Sequence, residues 1–411
     1  MNANNYLGFS PELRGYLNSI NLGLPPIRGK WFVVDPYGAT VPAVGGQPGQ
    51  VVADLETAYD LCTSGAGDGI LVLSGGTTAA HTTSYLSSPL TWSKHGITVV
   101  GASSGSRLFN RARIANKTHT TGSITTLAFV AGADTTYDSI TDSAEGFVTA
   151  GFAVGDVLRV DTTGNGADAT GLVITAVTAG TLTLATIGTL VTETAANAGA
   201  SVVSSYNANM ITVSGDNNSF SNLSISNFGD DALALGGVSV TGNRNHFSNC
   251  HIVGAGNATP GAVTSAYSLK IDGGQENTFD ACVIGTDSVL KAAANGEIAF
   301  DGDAWRNRFY DCEVVSYSET AGKGAIISAD ATAFDGWQVF SRCRFMNFYT
   351  NGITGLTSAF IGTAPNSGYL LMDSCSLAGW SAWDSVGGND TVYVSNSDAT
   401  ASGAGGIATT I

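Results

Sequence analysis

The sequence of 411 residues contains few charged side chains and especially few basic ones. Charged residues make up 12% of the chain, and 33 acidic residues against 17 basic ones give a net charge of −16. Because an acidic surface repels phosphate groups, nucleic acid is not an expected partner. The shortage of lysine and arginine also disfavours a polysaccharide lyase, whose binding groove needs cationic side chains.

Long apolar runs and closely paired cysteines are missing as well. No stretch approaches the ~20 apolar residues that a membrane helix needs, so we expect no membrane partner. Residues 1–30 lack a basic segment followed by an apolar run, which predicts a chain without a signal peptide that folds in a cytoplasm. None of the six cysteines belongs to a Cys-x-x-Cys pair, so we predict neither a metal site nor a cofactor.

Apolar residues, at 43% of the chain, and glycine, with 53 copies, are abundant. This composition is typical of a folded chain rich in strands and turns, and it is too apolar for a disordered one. A chain of this length has room for one large elongated domain and a smaller one.

Five cysteines in the second half of the chain are almost evenly spaced. They lie 32, 30, 31 and 32 residues apart, at Cys250, Cys282, Cys312, Cys343 and Cys375. Each follows a related segment, of which NHFSNC, ending at Cys250, is one copy. A period near 30 residues indicates stacked coils, because a single coil cannot bury its own apolar face. The repeat therefore predicts an all-β fold, with a right-handed parallel β-helix over residues 206–411.

Two columns of stacked side chains are expected inside this β-helix. The first is an aromatic ladder of Phe220, Phe247, Phe279, Phe309 and Phe340. The second is a ladder of small buried thiols from the five evenly spaced cysteines. Asparagines two positions before the phenylalanines suit a left-handed turn, although they could instead bind a ligand: Asn218, Asn245, Asn277 and Asn307.

Polar, glycine-rich segments make several coils longer than a β-helix needs. They are Gly254–Tyr267, Thr286–Gly296 and Thr320–Asp335. We expect these segments to project as loops from one side of the stack, where a solenoid usually binds its ligand.

The first half of the chain divides into three parts. We predict that residues 1–30 form an arm, whose short helix begins at Ser10 and Pro11. Its apolar face consists of Leu13, Tyr16, Leu17 and Ile20. We predict that residues 31–116 form the first part and the cap of the β-helix. Residues 117–205, rich in threonine, alanine, glycine and valine, predict an inserted small antiparallel β-domain with a hairpin turn at Thr178–Gly180.

Four segments near the start of the β-helix follow a recognisable order of strand, helix, strand and strand. They are Gly29–Val34, Asp54–Ala58, Gly67–Gly75 and His95–Gly101. Together with the later repeats, they resemble a family of tailed-phage virion structural proteins with a pectate-lyase-like β-helix. The family's Pro-Gly-His sequence after the second strand is replaced here by Ser74, Gly75 and Gly76. The resemblance implies a virion component on the capsid or in the tail apparatus.

Polysaccharide hydrolysis needs two carboxyl groups on either side of the scissile bond. Asp230 and Asp231 look like the Gly-Asp-Asp motif of polygalacturonase-type glycosidases, but the companion motifs of those enzymes are missing. Two aspartates in a turn before a strand are more often there for solvation. Glu297, Asp301 and Asp303 form a second acidic group, which could line a groove or bind calcium but is also explained by turns.

Four tryptophans near turns of the later coils are the candidate carbohydrate-binding residues. They are Trp305, Trp337, Trp380 and Trp383. An exposed tryptophan can stack on a sugar ring, whereas a buried one belongs to the core of a β-helix.

The resemblance and the incomplete catalytic set favour a non-catalytic virion protein, a capsid-associated decoration or spike assembled in the cytoplasm of a host bacterium. Residues 1–30 would bind other virion proteins, and by analogy with β-helix spikes we expect a homo-oligomer, a trimer. The alternative is a tailspike or tail fibre that binds host surface polysaccharide or cleaves it as a glycoside hydrolase. A secreted polysaccharide-degrading enzyme is the least favoured hypothesis.

Overall fold

The structure is a computed structural model that describes most of residues 27–397. The described ranges are 27–35, 50–52, 54–74, 83–86, 89–103, 111–116, 126–150, 152, 154, 156–161, 169–194, 201–204, 209–229, 232, 234–349, 352–353, 356–363, 368–384 and 391–397. The predicted arm, with Leu13, Tyr16, Leu17 and Ile20, lies outside the described residues, as do Asp230 and Asp231.

The first part of the chain forms parallel strands and one described helix. The strands are β1 (Trp31–Val34), β2 (Gln50–Val52), β3 (Gly69–Ser74), β4 (Thr83–Leu86), β5 (Leu90–Trp92), β6 (Thr98–Ser103) and β7 (Ala112–Asn116). Helix α1 (Leu55–Leu61) is capped by Asp54, whose carboxylate accepts a hydrogen bond from the Thr57 N–H at 2.7 Å. Leu55, Ala58 and Tyr59 of this helix are buried, so α1 closes the first coils of the stack.

A small antiparallel module follows. It contains β8 (Leu127–Val130), β9 (Ser139–Asp142), α2 (Phe147–Ala150), β10 (Val157–Asp161), β11 (Ala169–Thr178), β12 (Thr181–Leu184) and β13 (Ser201–Ser204). The strands pair in the order β13-β10-β11-β12-β9-β8, and the predicted hairpin joins β11 to β12. Its buried side chains form a hydrophobic cluster separate from that of the parallel strands.

The remaining strands belong to successive coils. They are β14 (Asn209–Val213), β15 (Ser219–Ser221), β16 (Leu223–Ser226), β17 (Gly236–Val240), β18 (His246–Ser248), β19 (His251–Val253), β20 (Tyr267–Asp272), β21 (Thr278–Asp280), β22 (Val283–Gly285), β23 (Ile298–Asp301), β24 (Arg308–Tyr310), β25 (Glu313–Tyr317), β26 (Ile326–Ser328), β27 (Gly336–Ser341), β28 (Arg344–Tyr349), β29 (Gly352–Ile353), β30 (Leu356–Gly362), β31 (Gly368–Asp373), β32 (Ser376–Ala378), β33 (Trp380–Asp384) and β34 (Val392–Ser395). A one-turn helix, α3 (Ala258–Gly261), lies between β19 and β20.

Most coils contribute one strand to each of three sheets. Sheet 1 runs β2-β1-β3-β6-β15-β18-β21-β24-β27-β31-β34, sheet 2 runs β29-β28-β25-β22-β19-β16-β7-β4 with β32 beside β28, and sheet 3 runs β33-β30-β26-β23-β20-β17-β14-β5. Apart from the β28–β29 pair, the neighbouring strands are parallel. The predicted all-β class is confirmed: a parallel β-helix of about 8 turns with a small antiparallel sheet.

Sheet 1 contains a continuous aromatic column. Phe220, Phe247, Phe279, Phe309 and Phe340 pair in register on adjacent strands. Consecutive rings are stacked, with centroids 4.3 to 4.9 Å apart. All five side chains are buried, so each coil seals the apolar face of its neighbour.

The cysteines form a second column where sheet 1 bends into sheet 2. Each thiol contacts the carbonyl oxygen of the phenylalanine one coil earlier at 3.4 to 3.5 Å, in the pairs Cys250–Phe220, Cys282–Phe247, Cys312–Phe279, Cys343–Phe309 and Cys375–Phe340. All five are buried and free. Burial raises the pKa of the Cys250 thiol well above its ordinary value, so this side chain packs as a small neutral group.

The bend before each of the five column cysteines, and before Leu223 and Ser397 in the corresponding coils, has a left-handed residue. The residue in this position has a φ of 49° to 57° in seven coils: Asn222, Asn249, Ala281, Asp311, Arg342, Ser374 and Asn396. Asn218, Asn245, Asn277 and Asn307 do lie in the turns between sheets 3 and 1, but the expectation of a left-handed conformation was wrong for them. The positive φ belongs to the residue before each one, Asn217, Arg244, Glu276 and Arg306.

Those four asparagines instead form a buried ladder between sheets 3 and 1. The Asn277 side-chain oxygen accepts the Asn245 N–H at 2.8 Å, and its amide nitrogen donates to Asn307 Oδ1 at 3.1 Å. In the next coil Gln338 occupies the equivalent position, and its side-chain oxygen accepts a hydrogen bond from the Asn307 N–H at 3.1 Å. The ladder satisfies backbone groups that the turn leaves unpaired in the interior.

The long segments are folded against the stack rather than projecting as simple loops. Gly254–Tyr267 and Thr286–Gly296 connect sheet 2 to sheet 3, and Lys291 is buried in the second of them. Thr320–Asp335 is not one loop, because β26 lies within it. Its two halves therefore belong to different corners of the β-helix.

Candidate functional site

A surface groove opens at the corner where sheet 3 turns into sheet 1. It encloses about 360 Å³ and is lined by Gln275, Asp303, Trp305, Ala331, Thr332, Phe334 and Asp335. These residues come from turns of three consecutive coils, which follow β20, β23 and β26. We call this cavity the Trp305 groove.

Backbone hydrogen bonds hold the three turns in register. The Asp303 N–H donates to the Thr332 carbonyl at 2.8 Å, and the Asp335 N–H donates to the Ala304 carbonyl at 3.1 Å. A parallel bridge also joins Gln275 to Trp305. The polar and aromatic side chains of the groove are therefore attached to turns whose backbones are hydrogen-bonded to one another.

Trp305 provides the aromatic surface of the groove. Its side chain is 37% exposed, and the guanidinium of Arg306 lies 4.5 Å from the ring centroid. Such a cation–ring contact restrains the indole while leaving part of it open to a ligand.

A set of ion pairs lies on residues adjacent in sequence to Gln275 and Trp305. Glu276 accepts from Arg244 at 2.6 Å and pairs with Arg306 at 2.7 Å. The hydrogen bond from Arg244 holds the pKa of Glu276 below its ordinary value. Asp303 and Asp335 are exposed to solvent, and Asp335 also accepts the Gly336 N–H at 2.9 Å.

Aromatic residues continue from the groove along the outer face of sheet 1. Trp337 pairs in register with Tyr369, and the Arg308 guanidinium lies 5.6 Å from the Trp337 ring centroid. Tyr369 is 37% exposed and contacts Tyr393 edge-on at 5.3 Å. We call Trp305, Trp337, Tyr369 and Tyr393 the aromatic strip. It crosses four consecutive coils, whose strands lie ~4.8 Å apart.

Two of the four tryptophans predicted to bind carbohydrate are in the core. Trp380 is 2% exposed and Trp383 1%, so the stacking prediction is wrong for both. The Trp380 indole donates to the Lys323 carbonyl at 2.9 Å, and Trp383 packs edge-on against Phe345 at 5.3 Å. Both lie in β33, whose burial does not follow a simple alternation, because residues three apart would then point to opposite faces.

The second acidic group predicted from the sequence is dispersed. Asp303 lies in the Trp305 groove, whereas Asp301 pairs with Lys270 on sheet 3 at 2.8 Å and Glu297 is buried at another corner. Among the described residues, no group of three or more histidine, cysteine, aspartate or glutamate side chains could hold a metal ion. The described helices include none long and apolar enough to cross a membrane.

Sequence reasoning missed Gln275, Thr332 and Asp335. Gln275 belongs to one coil and Thr332 and Asp335 to another, and all three lie in turns without a periodic pattern. Their only shared signal is that they follow a sheet 3 strand by a few residues, which could have been used once the strands were aligned.

Comparisons with known proteins concern the fold. No protein-family model matches this sequence, and no curated protein sequence matches it either. Among solved structures, pectin methylesterase PemA from Erwinia chrysanthemi has a TM-score of 0.45 and 14% identity over 91% of this chain and 90% of its own.

Phage tailspikes also resemble the chain. The Dettilon tailspike gp208 has a TM-score of 0.30 and 11% identity over 88% of this chain and 68% of its own. The tailspike gp49 from Pseudomonas phage LKA1 has a TM-score of 0.26 and 11% identity over 78% of this chain and 56% of its own. At these identities the similarity describes the parallel β-helix alone.

Proposed function

We propose that the protein is a virion-associated spike that binds a bacterial surface polysaccharide in the Trp305 groove without cleaving it. The observation that carries this proposal is the partly exposed Trp305 ring above a groove that also contains Gln275, Thr332 and two carboxylates. An aromatic face packs against the apolar face of a sugar ring, while amide, hydroxyl and carboxylate groups bond its hydroxyls. The aromatic strip offers further contacts for a chain longer than one sugar.

The surroundings of the carboxylates in the Trp305 groove support binding without hydrolysis. A glycosidase needs one carboxyl group that is shielded from water, so that it holds a proton for the leaving oxygen. Asp303 and Asp335 are both exposed, which suits hydrogen bonding to hydroxyls better than proton donation. The virion role is supported by the sequence resemblance of residues 29–101 and of the later repeats.

The Trp305→Ala variant tests the groove. Affinity for purified polysaccharide of the host surface, measured by calorimetry, should fall by about tenfold or more because the stacking platform is lost. Tyr137→Ala is the matched control, since Tyr137 is 50% exposed in the antiparallel module and should not affect affinity. Equal affinities of wild type and Trp305→Ala would reject the groove, and new reducing ends in the wild-type reaction would reject binding without cleavage.

The predicted arm supplies the attachment part of the proposal. Its apolar face, Leu13, Tyr16, Leu17 and Ile20, would bind other virion proteins, and three copies of the chain would form the spike. Deleting residues 1–25 should leave the β-helix folded but remove the protein from purified particles. Truncated protein found on particles at the wild-type level would argue against this role of the arm.

A further inference from the structure

Three polar side chains meet in the interior where sheet 2 turns into sheet 3. The Lys323 ammonium nitrogen lies 2.6 Å from Asn295 Oδ1 and 3.0 Å from Glu297 Oε1. Asn295, Glu297 and Lys323 are each 1% exposed. Asn295 and Glu297 belong to one coil and Lys323 to the next, so the cluster spans two coils.

Neighbouring groups hold each member of the cluster in place. The Asn295 amide nitrogen donates to the Val263 carbonyl at 2.9 Å, which turns its oxygen toward Lys323. Glu297 accepts from the Ser268 hydroxyl at 2.7 Å through its other oxygen. The Lys323 carbonyl accepts from Trp380, and the Gly324 N–H donates to the Asn295 carbonyl at 3.0 Å.

We propose that Lys323 and Asn295 become joined by an intramolecular isopeptide bond, with Glu297 as the proton carrier. An amine held against a side-chain amide, beside a carboxylate and away from water, has the arrangement that amide exchange requires. Removal from water favours attack by the amine over hydrolysis of the amide.

The chemistry balances without a further reactant. Glu297 takes a proton from the Lys323 ammonium, and the neutral amine attacks Asn295 Cγ to form the Nζ–Cγ bond. The protonated Glu297 then gives its proton to the Asn295 nitrogen, the Cγ–Nδ2 bond breaks and ammonia leaves. The ammonia takes up the second proton of the former amine nitrogen and becomes an ammonium ion, which leaves a neutral secondary amide. One ammonium plus one amide thus becomes one secondary amide plus one ammonium ion, and Glu297 is regenerated as a carboxylate.

The electrostatics of the cluster suit both proton transfers. Burial lowers the pKa of Lys323, which makes the neutral amine easier to reach. Burial opposes ionisation of Glu297, but Lys323 and Lys291 hold its pKa below its ordinary value, so the carboxylate is available as the base.

Mass spectrometry of the folded full-length chain tests the bond. The intact mass should be lower than the sequence mass by one ammonia molecule, and trypsin should fail to cleave after Lys323. A cross-linked species should join residues 292–306 to residues 309–342. An intact mass equal to the sequence mass, with the peptide ending at Lys323 recovered in full, would overturn the proposal.

Variants identify the groups responsible. Lys323→Arg keeps the charge but has no nucleophilic amine and should keep the full mass, and Glu297→Gln should do the same. Lys270→Met is the matched control, because Lys270 pairs with Asp272 at 3.0 Å and Asp301 at 2.8 Å outside the cluster, so this variant should still lose ammonia.

Refolding of the wild-type chain tests the proposed bond even if the variants do not fold. Denatured chains that have never folded should have the full mass and lose ammonia only after the denaturant is removed. Loss of ammonia from the denatured chain at the same rate would show another reaction and would refute the role of the folded cluster.

Discussion

The indole of Trp305 lies directly against the backbone of Gly336, the first residue of β27. Gly336 has a φ of +64°, and a Cβ added there would come within 2.7 Å of Trp305 Cδ1 and closer still to the indole nitrogen. The glycine therefore leaves the space that the ring of the groove occupies, and it also adopts a conformation that other residues rarely accept.

Gly336→Ala should displace Trp305 and weaken polysaccharide binding. The methyl group and the indole cannot both keep their positions, so we expect a loss of affinity of about tenfold, together with a loss of stability of about 1 kcal/mol from the positive φ. Calorimetric titration and urea-induced unfolding measure the two effects.

Gly65→Ala is the matched control for this substitution. Gly65 has a φ of +75°, but nothing lies within 4 Å of an added Cβ. This variant should lose similar stability and bind polysaccharide like the wild type. If both variants lost the same affinity, the contact between Gly336 and Trp305 would not be the cause.

Asn277→Ala should destabilise the β-helix strongly. The Asn277 side chain is fully buried and bonds the Asn245 N–H, the Gly242 carbonyl and Asn307 Oδ1. Its removal leaves buried polar groups unpaired, which we expect to lower the free energy of unfolding by about 3 kcal/mol. Thr278→Ala, on the adjacent half-buried position, should cost much less in the same urea titration.

Ala281→Asn should stabilise the protein. Ala281 has a φ of 50° at the bend where Asn222 and Asn249 occupy the equivalent positions in earlier coils. Asparagine tolerates this conformation better than alanine, so we expect a gain of about 1 kcal/mol in the free energy of unfolding. Ala292→Asn, at an exposed position without a positive φ, should bring no gain. A loss of stability in Ala281→Asn would contradict this account of the bend.

The stability contribution of Lys291 should increase with pH. Burial lowers the pKa of Lys291 from 10.5 to about 8 in the folded chain. Between these two values the unfolded chain binds more protons than the folded chain, so the free energy of unfolding rises with pH. Over the whole interval between the two pKa values, the free energy of unfolding should rise by about 3 kcal/mol.

The difference in unfolding free energy between wild type and Lys291→Met isolates this effect from other titrating groups. It should rise from pH 8 to pH 10 in urea titrations. Lys270→Met is the control, because the pKa of Lys270 is raised, so its difference should stay level over the same range. A level difference for Lys291→Met would show that this amine does not titrate in the window.

Much of the fold could be predicted because inward positions repeat. Phe247 and Phe279 recur with Cys250 and Cys282 at nearly constant spacing, since each stacked side chain must match the one above and below it. The turn residues carry no such requirement. Asn277 was correctly singled out as periodic, but the sequence left both a turn and a ligand contact open as explanations. Only the hydrogen bonds of the folded chain showed that its side chain belongs to a buried ladder within the turn.

The sequence by itself determined the coil period, the aromatic and thiol columns and the class of the fold, because those features arise from a residue and its equivalents one period away. The tertiary structure decided which tryptophans face solvent, which turns meet around Trp305 and that Lys323 lies inside against Asn295. Those relationships depend on turn lengths and on strand faces in several coils at once, and lysine in particular is rarely buried unless a partner from elsewhere in the fold compensates its charge.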